Sequence, residues 1–142
     1  MKGYLLVRAA GKAYGLPVAR VLEVADAGEV LAVPRTLPAV RGLTPLRGRL
    51  VPLIHLAAFL AGGPAPADPG PTVVLVDLGR GGAGGRGTRQ VAFEVDDADA
   101  VVRQDPLPVP RGQSLPWASG VGEQDGILVP ILDLEALGDR IG

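Results

Sequence analysis

Two stretches decide the fold. The first is Gly42-Leu43-Thr44-Pro45-Leu46-Arg47-Gly48-Arg49-Leu50-Val51-Pro52-Leu53-Ile54-His55-Leu56, and the second is Gly120-Val121-Gly122-Glu123-Gln124-Asp125-Gly126-Ile127-Leu128-Val129-Pro130-Ile131-Leu132-Asp133-Leu134. Both read Gly, aliphatic, four variable positions, Gly, any residue, Leu-Val-Pro, two aliphatics, any residue, Leu, at a constant offset of 78 with no gap. Upstream, Val33-Pro34-Arg35 recurs as Val109-Pro110-Arg111 at an offset of 76, and Tyr14 falls opposite Phe93 at 79. Chance supplies one Leu-Val-Pro twice far more readily than both glycines and the closing leucine in register. Each glycine pair is expected to bracket a tight connection into a strand. One copy is too small to bury its own apolar face, so two packed together are the natural solution. The pattern predicts an all-β protein of two similar small barrels around a shared core. A single domain over 1–142 is expected, with copies at about 14–61 and 93–138. Where the copies differ, the difference carries information: Arg47 stands in a turn whose counterpart is Asp125. Either a solvated turn accepts any charge, or Arg47 is a contact residue on one lobe only.

Working outward, residues 4–9 read as a strand, Gly11-Lys12 as a turn, and 13–25 as extended chain bent by Gly15 and Pro17. Residues 30–34 read as a short strand. The stretch 35–48, with two prolines and two glycines, reads as mostly loop with room for a helical turn near 38–41. Residues 49–56 are a strong apolar strand interrupted by Pro52, which predicts an edge position or a bulge. A helical turn over 57–61 leads into a Pro/Gly-rich connector over 62–71. Residues 72–78 are near-continuously apolar, as in a strand buried on both faces. They are expected to pair with a return strand over 88–96 across the glycine loop 79–87. Residues 98–103 are extended, 104–116 a proline-rich loop and 127–132 a strand. Asp133 is placed to cap a short helix through Leu137, with Gly138 past its end.

Composition limits the function. The chain has 142 residues, 47% of them hydrophobic and 20% charged, enough to form a core. Lys+Arg 14 against Asp+Glu 15 and only five aromatics argue against a nucleic-acid binder, which needs a basic stripe and stacking rings. With Cys 0 and His 1, there is no thiol chemistry and no histidine-rich metal site within one chain. No apolar run reaches the roughly 20 residues of a membrane span, and Arg8 interrupts any signal-like N-terminal segment. The expected location is therefore cytoplasmic.

The first copy resembles the CheW family of bacterial chemotaxis adaptors. The residues from Val40 to Leu56 are similar to that family's I-x-G-V-x-N-L-R-G-x-I-V-P-V-x-D-L, with Pro45 in place of the Asn and His55 in place of the Asp. Tyr14-Gly15-Leu16-Pro17-Val18 followed by Val21-Leu22-Glu23-Val24 is similar to Y-G-I-x-I-x-x-V-x-E-I, and Val95-Asp96 follows a strand as in the family. The resemblance runs from Tyr4 to Leu137 and implies two intertwined five-stranded SH3-like β-barrels around a shared core, with short helical turns. It also implies a non-enzymatic scaffold that couples the cytoplasmic tip of methyl-accepting chemoreceptors to the regulatory domain of a CheA-type histidine kinase. No cofactor, metal or catalytic residue is expected, and recruitment would be to membrane-associated receptor arrays. Carried over by motif, Val21 and Glu23 match strand positions used at partner contacts. Gly42, Leu46, Arg47 and Gly48 match the motif tied to binding.

Other signals are outweighed. Gly79-Arg80-Gly81-Gly82-Ala83-Gly84 fits G-x-G-x-x-G, but a strand pattern follows where a dinucleotide site needs a helix. Asp96, Asp97 and Asp99 lack the EF-hand frame. His55 with Ser114 or Ser119 lacks a nucleophile elbow, and its parity with Val51 and Leu53 suits a partly buried, hydrogen-bonded side chain. Trp117 reads as core more readily than as an interface residue. Arg80, Arg86 and Arg89 would make a basic hairpin tip.

Overall fold

Alternating Val, Leu and Ile runs punctuated by glycine and proline fold as expected into strands. The computed structural model describes residues 3–34, 37–79, 89–112 and 115–141. Its elements in chain order are β1 (Tyr4–Ala9), β2 (Lys12–Pro17), a 3₁₀ turn (Val18–Arg20), β3 (Val21–Asp26), β4 (Val40–Leu46), β5 (Arg49–His55), α1 (Leu56–Ala61), β6 (Thr72–Asp77), β7 (Gln90–Val95), β8 (Asp97–Val102), β9 (Ala118–Gln124), β10 (Ile127–Leu132) and α2 (Leu134–Ile141). They form two five-stranded sheets, ordered β8-β1-β2-β10-β9 and β3-β6-β7-β5-β4.

The two orders correspond strand for strand, and they show what intertwining means here. The first hairpin, β1-β2, lies with β8, β9 and β10. The second hairpin, β6-β7, lies with β3, β4 and β5. The chain leaves the first sheet through the 3₁₀ turn and returns to it at Asp96, whose N–H donates to the Arg8 carbonyl at 2.8 Å.

Strand periodicity supplies the layers. In β1, Tyr4 and Leu6 face a small cluster with Val129 and Ile131, while Leu5, Val7 and Ala9 face the opposite way into the large core. In β6, Val73 and Leu75 join Val51, Leu53 and Ala92 inside the second barrel, while Val74 and Val76 join the large core. The large core lies between the sheets and takes Leu56 and Phe59 from α1 and Leu134 and Leu137 from α2. Each sheet is therefore covered on both faces, as the apolar run over 72–78 predicts.

Isolated bridges close the barrels. Beyond β3, Leu31 exchanges two backbone hydrogen bonds with Leu43 of β4, at 2.7 and 2.9 Å. Beyond β8, Leu107 does the same with Val121 of β9, both at 2.8 Å. This corrects the reading of the repeat's first glycine. Gly42 and Gly120 do not lie in turns but inside strands, where any side chain would run into the carbonyl oxygen of Leu31 or Leu107. The second glycine does lie in a turn.

Other expectations are also corrected. The 35–48 segment is not mostly loop: a single turn at 38–39, closed by the Val40 N–H on the Leu37 carbonyl at 3.1 Å, leads straight into β4, which runs through Gly42 and Pro45 at the end of its sheet's order, where a missing donor is tolerated. Only Leu31 of 30–34 is bridged. β5 is not an edge strand. It lies between β7 and β4, but pairing with β7 begins at Leu53, so Pro52 sits beside an unpaired stretch, and the bulge falls on its partner β4 at Arg41. β10 repeats the arrangement, with Pro130 just before its pairing with β2 at Ile131. The α2 helix continues through Gly138 to Ile141. Beyond Gly79, the glycine segment with the rest of its G-x-G-x-x-G, Arg80 and Arg86, and Ser114 fall outside the described residues.

The bulge at Arg41 aims its side chain across β5 at Glu94 of β7, which is 1% exposed. Arg41 Nε and Nη2 donate to the two carboxylate oxygens at 2.6 and 2.8 Å, a paired fork geometry. Arg41 Nη1 also donates to the Pro66 carbonyl at 2.8 Å, and Gly70 N–H donates to Glu94 at 2.6 Å, so the pair holds down the connector. Truncating one partner strands a buried charge. Arg41→Ala is expected to cost about 3–5 kcal/mol by urea denaturation, whereas the double replacement Arg41→Met/Glu94→Met costs less.

Candidate functional site

The six motif residues divide between the two ends of the second barrel's strand order. Val21 and Glu23 are half-buried on β3, where Glu23 lies opposite Leu75 of β6. Leu46, Arg47 and Gly48 lie at the end of β4 and in the turn to β5. The pairing rows run Glu23, Leu75, Ala92, Leu53 across the sheet. The β4–β5 turn projects beyond Leu53 toward the end at which β3 begins. Leu46 packs with Leu22 and Val30 against the barrel core, while Arg47 and Gly48 are exposed. Gly42 is buried beneath the closing bridge, so its place in the motif serves closure of the barrel.

Backbone geometry makes Arg47 and its counterpart equivalent, and side-chain chemistry separates them. Arg47 and Gly48 have φ of 53° and 74°, and Asp125 and Gly126 have 52° and 78°. Two consecutive positive φ values define the tight hairpin turn that matches strand twist, for which Asp-Gly is a preferred pair. Arginine is not favoured there, since its Cβ crowds the following carbonyl in the left-handed conformation, at roughly 1–2 kcal/mol, without the local side-chain hydrogen bond open to Asp or Asn. The chain therefore carries Arg47 at a position whose local chemistry favours the residue type found in the other copy. No ion pair holds either Arg47 or Asp125 among the described residues.

His55 has a local role. Its Nδ1 accepts the Ala58 N–H at 3.1 Å, capping α1, as Asp133 Oδ1 accepts the Ala136 N–H at 3.1 Å before α2. Ser119, named with it as a possible triad member, instead donates toward the Ile131 carbonyl at 3.5 Å. Asp97 and Asp99 face Arg8 at 4.0 and 3.8 Å. No group of His, Cys, Asp and Glu suited to a metal ion occurs among the described residues. Among them, no helix is long and apolar enough to cross a membrane.

Trp117 is only partly buried. It meets Tyr14 edge-on, with ring centroids 5.9 Å apart, and burial pushes the Tyr14 hydroxyl above the ordinary value of 10.0. The two rings line a groove of about 450 Å³ with Leu115, Ile127, Leu128 and Pro130. Sequence reasoning did not find this groove or the Arg41–Glu94 pair. The exposed aliphatics Ile127 and Leu128 at the start of a strong strand were the available signal for the groove.

The CheW-like domain family matches residues 3–141, and the chain belongs to that family. No curated protein matches it. Among 15 solved chains that match, the crystal structure of the scaffolding protein TtCheW from Thermoanaerobacter tengcongensis is 22% identical. The alignment covers 96% of this chain and 91% of that one with a TM-score of 0.75, a likeness in fold.

Two stability measurements test these local assignments. Replacing Arg47 with Asn, which adopts the left-handed turn more readily, is expected to raise stability by about 0.5–1 kcal/mol, read as a higher denaturation midpoint. His55→Ala is expected to lose about 1 kcal/mol, while His55→Asp retains the cap and most of the stability.

Proposed function

We propose that this member of the CheW-like family is a non-enzymatic adaptor in chemosensory signalling. It couples the cytoplasmic tip of methyl-accepting chemoreceptors to the regulatory domain of a CheA-type histidine kinase. It acts in the cytoplasm, recruited to membrane-associated receptor arrays. In this reading the chain is one domain of two exchanged copies, with 62–71 as the connector between them. Its mechanism is geometric: two rigid barrels with a common core hold two partners at a set distance and angle.

The observation that carries the reading is Arg47, exposed and held in a turn conformation unfavourable to it, on the motif that the family ties to binding. Val21, Glu23, Leu46, Arg47 and Gly48 form the partner surface, with Gly42 supporting it from beneath. Half-buried aliphatics supply affinity, and Glu23 and Arg47 supply orientation and partner choice.

Arg47→Asp introduces the residue type that the other copy carries in the same turn, so folding is retained. Binding to at least one of the receptor tip and the kinase regulatory domain is expected to weaken by about tenfold or more, since a reversed charge at an interface costs several kcal/mol. Calorimetric titration against each purified partner measures this, and unchanged affinity for both overturns the assignment.

A further inference from the structure

One face of β10 loses its cover step by step. Leu132 is fully buried in the large core, Pro130 is half-buried, and Leu128 is 48% exposed. These alternate residues share a face, so the seam between the sheets runs out along β10, and the groove of about 450 Å³ opens where it stops. Leu115, Ile127, Leu128 and Pro130 give it apolar walls, with Tyr14 and Trp117 between them. Tyr14 is 7% exposed, yet its hydroxyl makes no hydrogen bond among the described residues, and neither does the Trp117 indole N–H. No unpartnered polar side-chain atom among those residues is sealed from solvent, so both groups open onto the groove that their rings line. Burial raises the Tyr14 hydroxyl above its ordinary value, which keeps it a proton donor at neutral pH. Arg8 and Lys12 stand on the rim, and no Asp or Glu lines the groove among the described residues. Arg8 faces Asp97 and Asp99, whereas Lys12 is exposed and holds no ion pair among those residues. The second copy has no such equipment: Phe93 and Ala39 stand where the first has Tyr14 and Trp117, and both are buried.

We propose that this groove is a binding site for a small amphiphilic anion, a carboxylate on a medium-length alkyl chain. The chain lies along the aliphatic walls and the aromatic faces, removing Ile127 and Leu128 from water. Every polar group that the groove offers is a donor, which suits a carboxylate, an acceptor only. Lys12 and Tyr14 are two apart on β2 and share a face, so one carboxylate accepts from the hydroxyl and pairs with the ammonium. The site lies in the first barrel, apart from the Glu23 and Arg47 motif of the second, and needs neither kinase nor receptor. It therefore goes beyond the adaptor reading.

Trp117 is the sole tryptophan, so its fluorescence reports occupancy of the groove directly. Titration of the full chain with decanoate, kept below its micellar concentration, is expected to shift the emission to shorter wavelength and to saturate. Decyltrimethylammonium has the same chain and the opposite charge, and it is expected to bind at least about tenfold more weakly. Tyr14→Phe, which keeps the ring, and Lys12→Glu, at an exposed position, are each expected to weaken decanoate binding by about tenfold. Circular dichroism checks the fold of both, and the comparison of the two probes on the wild type stands whatever the variants do. No saturable shift in the wild type, equal binding of the cation, or decanoate binding unchanged in either folded variant overturns the proposal. Sedimentation velocity adds one more outcome: a wild type that associates and is dissociated by decanoate assigns the groove to a second copy and overturns it as well. None of these results bears on whether receptor or kinase binds.

Discussion

A five-stranded sheet with apolar side chains on both faces must be covered twice. Here that constraint is met by exchange. Each sheet bends around its own small cluster, with Tyr4, Leu6, Val129 and Ile131 in one barrel and Val51, Leu53, Val73, Leu75 and Ala92 in the other. The remaining faces press together with α1 and α2 to form the largest core. Neither small cluster is a sufficient core for a domain of this size, so the barrels owe their stability to the seam. The side chains that bind α2 show how closely it is tied. Arg20 and Arg89, beside strands of the opposite sheet, bond Glu135 and the Gly138 carbonyl, and Arg140 lies 4.9 Å from the Phe59 ring of α1.

The departures from internal symmetry have separate physical reasons. Arg41 and Glu94 correspond by offset to Ser119 and Gly15. The charged pair occurs in the barrel crossed by the connector, where Pro66 and Gly70 use its remaining donors and acceptors. His55 and Asp133 differ in type yet accept the same kind of hydrogen bond, so that difference changes little. Arg47 and Asp125 have one backbone conformation and opposite charge, and arginine is the less suited to it. Of these three differences, this last one lies on the surface without an internal use, which is why the functional reading rests there.

Much of this was legible in the residues. The repeat exposed the doubled barrel, and the near-continuous apolar run in 72–78 exposed a strand buried on both faces. The motif carried the family, and comparing the copies singled out Arg47. What failed did so for local reasons. Gly42 and Pro45 look like loop residues, but a closing bridge requires the first and a terminal position in the sheet order tolerates the second. β9, with Gly120, Gly122, Glu123 and Gln124, has almost no strand character and is held in place by pairing with β10. The exchange itself left no mark in the sequence, because a repeat reveals that two copies exist without revealing which strands keep company. Arg41 and Glu94 are far apart in sequence, and only the bulge brings them together.

The exchange also bears on how the molecule fails. Scission of the backbone within 62–71 would separate the polypeptide into two pieces without separating the barrels, since each barrel is woven from both. The halves would stay interlocked through ten strands and one seam. Conversely, neither half released alone would hold a complete barrel, because its hairpin and its three-stranded portion belong to different sheets. Integrity here is a property of the weave rather than of the thread.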